Sequence, residues 1–143
     1  VGLTEEAACS TGEDVETGRA FFAANSRARI AGTTEGLVKL VFRASDRRLL
    51  GAHILGEEAS ELIHIAQAML HARATVREFI DATFNVPTRA DAYKYAAYDA
   101  LQHLEARARN EERRRAERVL ANTKRIVMPA RRTLALKRDP AMT

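Results

Sequence analysis

Apolar residues recur along this 143-residue chain with two periods, alternating in its first half and at helical spacing in its second. Val38, Leu40 and Phe42 share one face of an extended segment from Leu37 to Arg43, and Leu50, Ala52 and Ile54 repeat the pattern from Leu49 to Leu55. Val15 to Ala23 and Arg27 to Ala31 read as two further extended segments, the second alternating Ala28 and Ile30 against Arg27 and Arg29. Turn chemistry at Gly32-Thr33-Thr34-Glu35-Gly36 and Ser45-Asp46-Arg47-Arg48 separates them. Together they predict an antiparallel meander with one apolar face in need of a cover. Between Glu58 and Ala72 the residues Ala59, Leu62, Ile63, Ala66, Met69 and Leu70 form a helical stripe that can supply it.

Flanking helices follow from capping and spacing. Thr4 before Glu5-Glu6-Ala7-Ala8 predicts a short helix ended by Gly12, and Thr75 caps another from Val76 to about Ala82. Thr83 to Val86 is extended ahead of Pro87, because proline disfavours helical geometry in the residue before it. Thr88 is expected to cap a last helix whose stripe is Tyr93, Ala97, Ala100, Leu101 and Leu104. Strands first and helices second define an α+β fold. From Glu105 to Arg118 the residues favour helix but offer little to bury, and after Asn122, with Pro129 and Pro140, the pattern is lost. The reading is a body over residues 1–104 and a basic, partly helical or flexible tail over 105–143.

Charge follows the same division. The net charge of +4 combines −3 over residues 1–104 with +7 over 105–143, so the basic balance belongs to the tail. With 46% hydrophobic residues the chain can bury one sizeable core. No apolar run approaches the roughly 20 residues of a membrane-spanning helix, and the first residues have no signal-peptide pattern, which points to a cytoplasmic protein without membrane partners. The chain begins on Val1 rather than Met, as a processed or excised chain would. Cys9 is the single cysteine and reads as a small buried or half-buried hydrophobe.

Little catalytic chemistry is visible. Glu61 and His64 reproduce a Glu-x-x-His spacing once, without the second copy that a di-metal site requires. His71 lies too far along the same helix to share an ion with His64, His53 faces away from Leu50, Ala52 and Ile54, and His103 has no evident partner. No triad assembles, and no metal is expected. The seven glycines form no phosphate-cradling loop, so the chain alone is expected to bind no dinucleotide. Arg113-Arg114-Arg115 and Arg131-Arg132 are interleaved with glutamates in a tail without aromatics, which makes nucleic acid an unlikely partner.

Several segments carry a resemblance. Val1-Gly2-Leu3-Thr4-Glu5-Glu6-Ala7, Gly36 to Phe42, Leu50 to Gly56 with Ala59-Ser60-Glu61-Leu62-Ile63, and Thr83-Phe84-Asn85-Val86-Pro87-Thr88 occur in this order. They resemble the C-terminal dimerisation domain of the pyridine nucleotide-disulfide oxidoreductases, over residues 1–104, and are most similar to the soluble transhydrogenase branch. The resemblance implies a homodimer, joined in a full-length parent to FAD-binding and NAD-binding domains, with FAD and NAD(P) as the parent's cofactors. It further implies that Phe84, Asn85, Val86 and Pro87 contact the partner subunit's FAD, and that Phe84, Val86, Pro87, Thr88, Asp91 and Tyr93 belong to the interface. It implies a cis Val86-Pro87 peptide as well.

Disulfide reductases of the family carry a His before this proline and a Glu after it. Here Val86 and Asp91 stand in those places, and a valine carries no proton, so thiol chemistry is disfavoured. Hydride exchange between NADPH and NAD through a flavin needs no such base. The isolated chain is expected to be catalytically inactive, with no catalytic residue of its own. The alternative is a free-standing dimeric adaptor that binds an acidic protein or nucleic acid through the basic tail.

Overall fold

The structure, a computed structural model, describes residues 1–127, with side chains described through residue 123. Thr4 opens α1 (Glu5–Ser10) by accepting the Ala7 amide at 3.0 Å, with Glu5 and Glu6 in the first turn. Cys9 on this helix is exposed, contrary to the sequence expectation, because α1 turns only Ala8 fully inward. β1 (Val15–Phe21) follows and ends in a tight turn over Phe22–Ala24.

The segment read as a strand from Arg27 to Ala31 is instead a helix, α2 (Ser26–Ala31). Asn25 decides the matter: its side-chain oxygen accepts the Ala28 amide at 2.9 Å, and Gly32 ends the helix with φ of 72°. The apparent alternation misleads because Ala28 is buried while Ile30 is 68% exposed, so the two do not share a buried face.

β2 (Gly36–Arg43) and β3 (Leu49–Gly56) complete an antiparallel sheet of order β1-β2-β3. Gly18 pairs with Leu40 and Leu40 with Ala52, which puts Val38, Leu40, Phe42 and Ala52 on one face as the alternation predicts. That face meets Leu62 and Ala66 of α3 (Ala59–His71), Val76 and Phe79 of α4 (Val76–Asp81), and Tyr93, Ala96, Ala97 and Ala100 of α5 (Ala92–Val127). Thr75 and Glu78 form a full capping box at α4.

Both sheet edges are occupied. Residues 1–3 run along β3, with the Leu3 amide donating to Leu50 O at 2.9 Å and Gly2 bridging Gly51. On β1 the Arg19 amide donates to the Asp99 carboxylate at 2.9 Å, and His103 Nδ1 donates to Thr17 O at 3.1 Å. α5 can lie this close because β1 has a glycine there: a Cβ on Gly18 would sit 2.0 Å from Ala96 O.

Val1–Ala108 forms one compact unit and a second begins at Arg109. In the second, the described side chains of residues 109–123 are all exposed. Helical geometry runs on to Val127, past the point at Asn122 where the sequence pattern fades. The remainder of the expected flexible segment, including Pro129 and Pro140, lies outside the described residues. Among the described residues no helix is long and apolar enough to cross a membrane.

Candidate functional site

The residues singled out by the resemblance lie in the connection between α4 and α5. The Val86-Pro87 peptide is cis, as expected. Val86 is 71% exposed, and Asn85 and Pro87 are exposed beside it. Phe84 is half-buried and stacks on Tyr93, with ring centroids 6.4 Å apart and planes 14° from parallel. The loop therefore presents a small uncharged tip while its base stays packed.

Thr88 does not cap the last helix. α5 begins only at Ala92, after a turn through Arg89, Ala90 and Asp91, and the Thr88 hydroxyl instead donates to Asn85 O at 2.7 Å. This bond closes the cis-proline loop on itself.

Three buried polar residues anchor the base, and sequence reading identified one of them. Asp91 is buried and accepts from Asn25 Nδ2, which also donates to Thr88 O at 2.9 Å. Asn25 thus spends its oxygen on α2 and its amide on the loop. Burial pushes the Asp91 carboxyl above the usual carboxylate range, against the opposing hydrogen bond from Asn25. Arg89 is 2% exposed and lies over the Phe22 ring at 5.6 Å. Its Nη2 donates to the Thr33 hydroxyl and to Glu57 at 3.1 Å, its Nε is 3.6 Å from Glu58, and neither Nε nor Nη1 has a hydrogen-bond partner. The Thr33 hydroxyl and then Arg89 hold Glu57 below the usual carboxylate range. A helix-capping signal at Asn25 before Ser26 was available in the sequence; no pattern announces a buried arginine.

Tyr93 belongs to the protomer's own core. It is fully buried, stacks on Phe79 at 5.8 Å, and donates its hydroxyl to Leu62 O at 2.6 Å. Asp91 and Tyr93 accordingly support the loop from beneath, while Asn85, Val86 and Pro87 form its outward surface.

The loop tip carries no group able to exchange a proton near neutrality, and the Asp91 carboxylate that follows it in sequence is buried. Asn85, Val86 and Pro87 give the tip an exposed surface without a charged side chain. Among the described residues no cluster of three metal-ligating side chains occurs. His64 and Glu61 are both exposed on α3, and His64 Nδ1 lies 3.4 Å from Gln67 Oε1. His53 Nε2 is 3.2 Å from Leu3 O. His103 has acidic neighbours that its local sequence did not reveal, with Glu16 at 3.8 Å and Asp99 at 4.0 Å.

The chain has relatives both by sequence and by fold. The soluble pyridine nucleotide transhydrogenases of Pseudomonas fluorescens (strain Pf0-1) and Azotobacter vinelandii are 39% and 41% identical over 107 residues, 73% of this chain in each case. The chain spans 23% of the length of each of these relatives. Among solved structures, the HOCl-induced flavoprotein disulfide reductase RclA from Escherichia coli superposes with a TM-score of 0.65 at 28% identity. That match covers 68% of this chain and 22% of the other. These matches lend no support to a free-standing adaptor. The sequence model for the pyridine nucleotide-disulphide oxidoreductase dimerisation domain matches residues 1–97. With its meander sheet, its helical cover and the cis-proline loop at its surface, the chain belongs to that dimerisation-domain family.

Proposed function

We propose that this chain is the homodimerisation domain of an FAD-dependent NAD(P) transhydrogenase, with FAD-binding and NAD-binding domains as its partners in the parent enzyme. One observation carries the reading: a loop braced by Asn25, Asp91 and Arg89 presents Asn85, Val86 and Pro87 outward with no ionisable side chain among them. In such a parent the bound FAD would pass hydride between NADPH and NAD. The role of this domain is to hold two subunits together and to close the partner's flavin pocket against water with the loop. Val86 packs there without taking a proton, which suits hydride exchange and does not suit thiol reduction. A cytoplasmic location accords with that activity.

A chimera tests the reading. The Pseudomonas fluorescens transhydrogenase carrying residues 1–104 of this chain in place of its matching segment should purify as a yellow dimer that transfers hydride from NADPH to NAD. In the same chimera Val86→His should leave that transfer within about threefold, since no proton is exchanged at this position. A dimeric, flavin-loaded chimera without hydride transfer would contradict the transhydrogenase assignment, and a monomeric one would contradict the domain's role.

A further inference from the structure

Several turns meet at one buried cation. Arg89, which follows the cis-proline loop, is 2% exposed and is the largest fully buried side chain among the described residues. Its guanidinium rests on the Phe22 ring, reaches the turn before β2 through the Thr33 hydroxyl, and reaches the turn between β3 and α3 through Glu57 at 3.1 Å. Taking such a charge out of water costs more than one neutral hydrogen bond returns, so it needs a counter-charge in a fixed place.

Glu57 is that counter-charge, and its backbone is fixed on both sides. Gly56 has φ of 119°, and a Cβ there would sit 2.7 Å from Glu35 O. Glu58 holds a left-handed φ of 62°, which a residue other than glycine keeps only where its surroundings impose it. Glu58 comes within 3.6 Å of Nε without a hydrogen bond, and Nε and Nη1 have no partner, so the hydrogen bonding of the cation rests on Nη2.

The two members of the pair differ in exposure. The Arg89 side chain keeps 1% of its surface and that of Glu57 53%, beside a cavity of about 410 Å³ that Thr33 and Gly56 also line. Loss of the carboxylate's charge leaves the cation buried without compensation, and its way back to water is to leave the interior. Arg89 stands two residues after Pro87, and its carbonyl accepts the Ala92 amide at the start of α5, so its exit carries the loop along. We propose that Arg89 and Glu57 are positioning residues of the candidate site, a clasp that keeps the cis-proline loop seated through the negative charge of Glu57. The inference goes beyond the homodimerisation reading, since it concerns how the loop is held, whichever surface the loop meets.

Limited trypsin digestion of the full 143-residue chain, with mass spectrometry of the products and circular dichroism as the control for folding, tests this. The Arg89-Ala90 bond should resist in the unaltered chain. Glu57→Gln, on an exposed turn, should speed scission after Arg89 by about tenfold or more and leave scission after Lys39, in the central strand β2, unchanged. Glu57→Asp, which keeps the charge, should have a smaller effect. The urea midpoint supplies a second reading: Glu57→Gln should lower it, and adding Arg89→Met should restore it, because an apolar side chain against Phe22 needs no counter-charge. Unchanged scission after Arg89 in folded Glu57→Gln would overturn the clasp. So would an equal rise after Lys39, which marks general loosening, or a double variant less stable than Glu57→Gln alone.

Discussion

Asn25 makes three hydrogen bonds with one side chain, and each holds a different part of the molecule: the Ala28 amide starts α2, Thr88 O fixes the cis-proline loop, and Asp91 is kept from burial without a donor. Asn25→Ala should cost about 2–4 kcal/mol, the sum of a lost cap and a buried carboxylate left without its partner, measured by urea unfolding. Asn25→Asp separates the two effects. It retains the capping oxygen but sets a second carboxylate against Asp91, so it should be destabilised at neutral pH and recover as the pH is lowered. A variant equally stable at both would show that Asp91 is not held through Asn25. Tyr93→Phe should cost less, about 0.5–1.5 kcal/mol, because it removes one hydroxyl bond to Leu62 O and leaves the ring stacked on Phe79. At this scale the sequence singled out Val86, Pro87 and Asp91 through a recognisable motif, and the Val86-Pro87 bond is cis as that motif implied. Asn25 and Arg89 act over sequence distances of more than sixty and more than thirty residues respectively, and no local pattern carries such pairings.

Elements were legible where burial made the period unambiguous. β2, β3 and α3 each turn one face to the core, and alternation or helical spacing reveals them directly. α2 failed that test because it is only six residues long and buries Ala28 alone, too short a stretch for period 2 and period 3.6 to be told apart. Its cap and terminal glycine were the better signal. The contact of β1 with α5 depends on a glycine that periodicity cannot evaluate. Gly18→Ala would place a methyl group 2.0 Å from Ala96 O and 2.5 Å from the Ala100 amide nitrogen, both main-chain atoms that cannot swing aside. The expected cost is about 1–3 kcal/mol, with the Arg19 and Thr17 bonds to Asp99 and His103 lengthened as α5 moves off the edge. An unchanged thermal midpoint for Gly18→Ala would contradict the close approach of helix and strand.

At the scale of the whole molecule, carboxylates govern the response to acid. A hydrogen bond from Thr75 lowers the Glu78 pKa, one from Arg43 lowers that of Glu13, and one from Thr33 lowers that of Glu57. Each such depressed group contributes stability that is present above its unfolded pKa and lost as the pH falls through the folded value. Asp91 runs the other way: its raised pKa gives a contribution present below the usual carboxylate range and lost as the pH rises through the folded value. Glu6 and Asp46 are lowered as well, so among the described residues five carboxylates of the first kind stand against Asp91 alone, and denaturant midpoints should fall as the pH drops from about 5 to about 3. A midpoint that rises over that interval would reverse the assignment. The overall α+β plan was readable because the three strands fall between residues 15 and 56 and the three covering helices, α3 to α5, come after them. The grouping of Phe21, Tyr95 and Tyr98 around one cavity was not readable, since they come together only through the packing of α5 on β1.

The central claim is that this chain makes a homodimer. Sedimentation equilibrium of the purified 143-residue chain at micromolar concentration measures it most directly. The account predicts a mass twice that of the 15.9 kDa protomer, falling toward the protomer value on dilution. A single protomer mass at every concentration tested would contradict it.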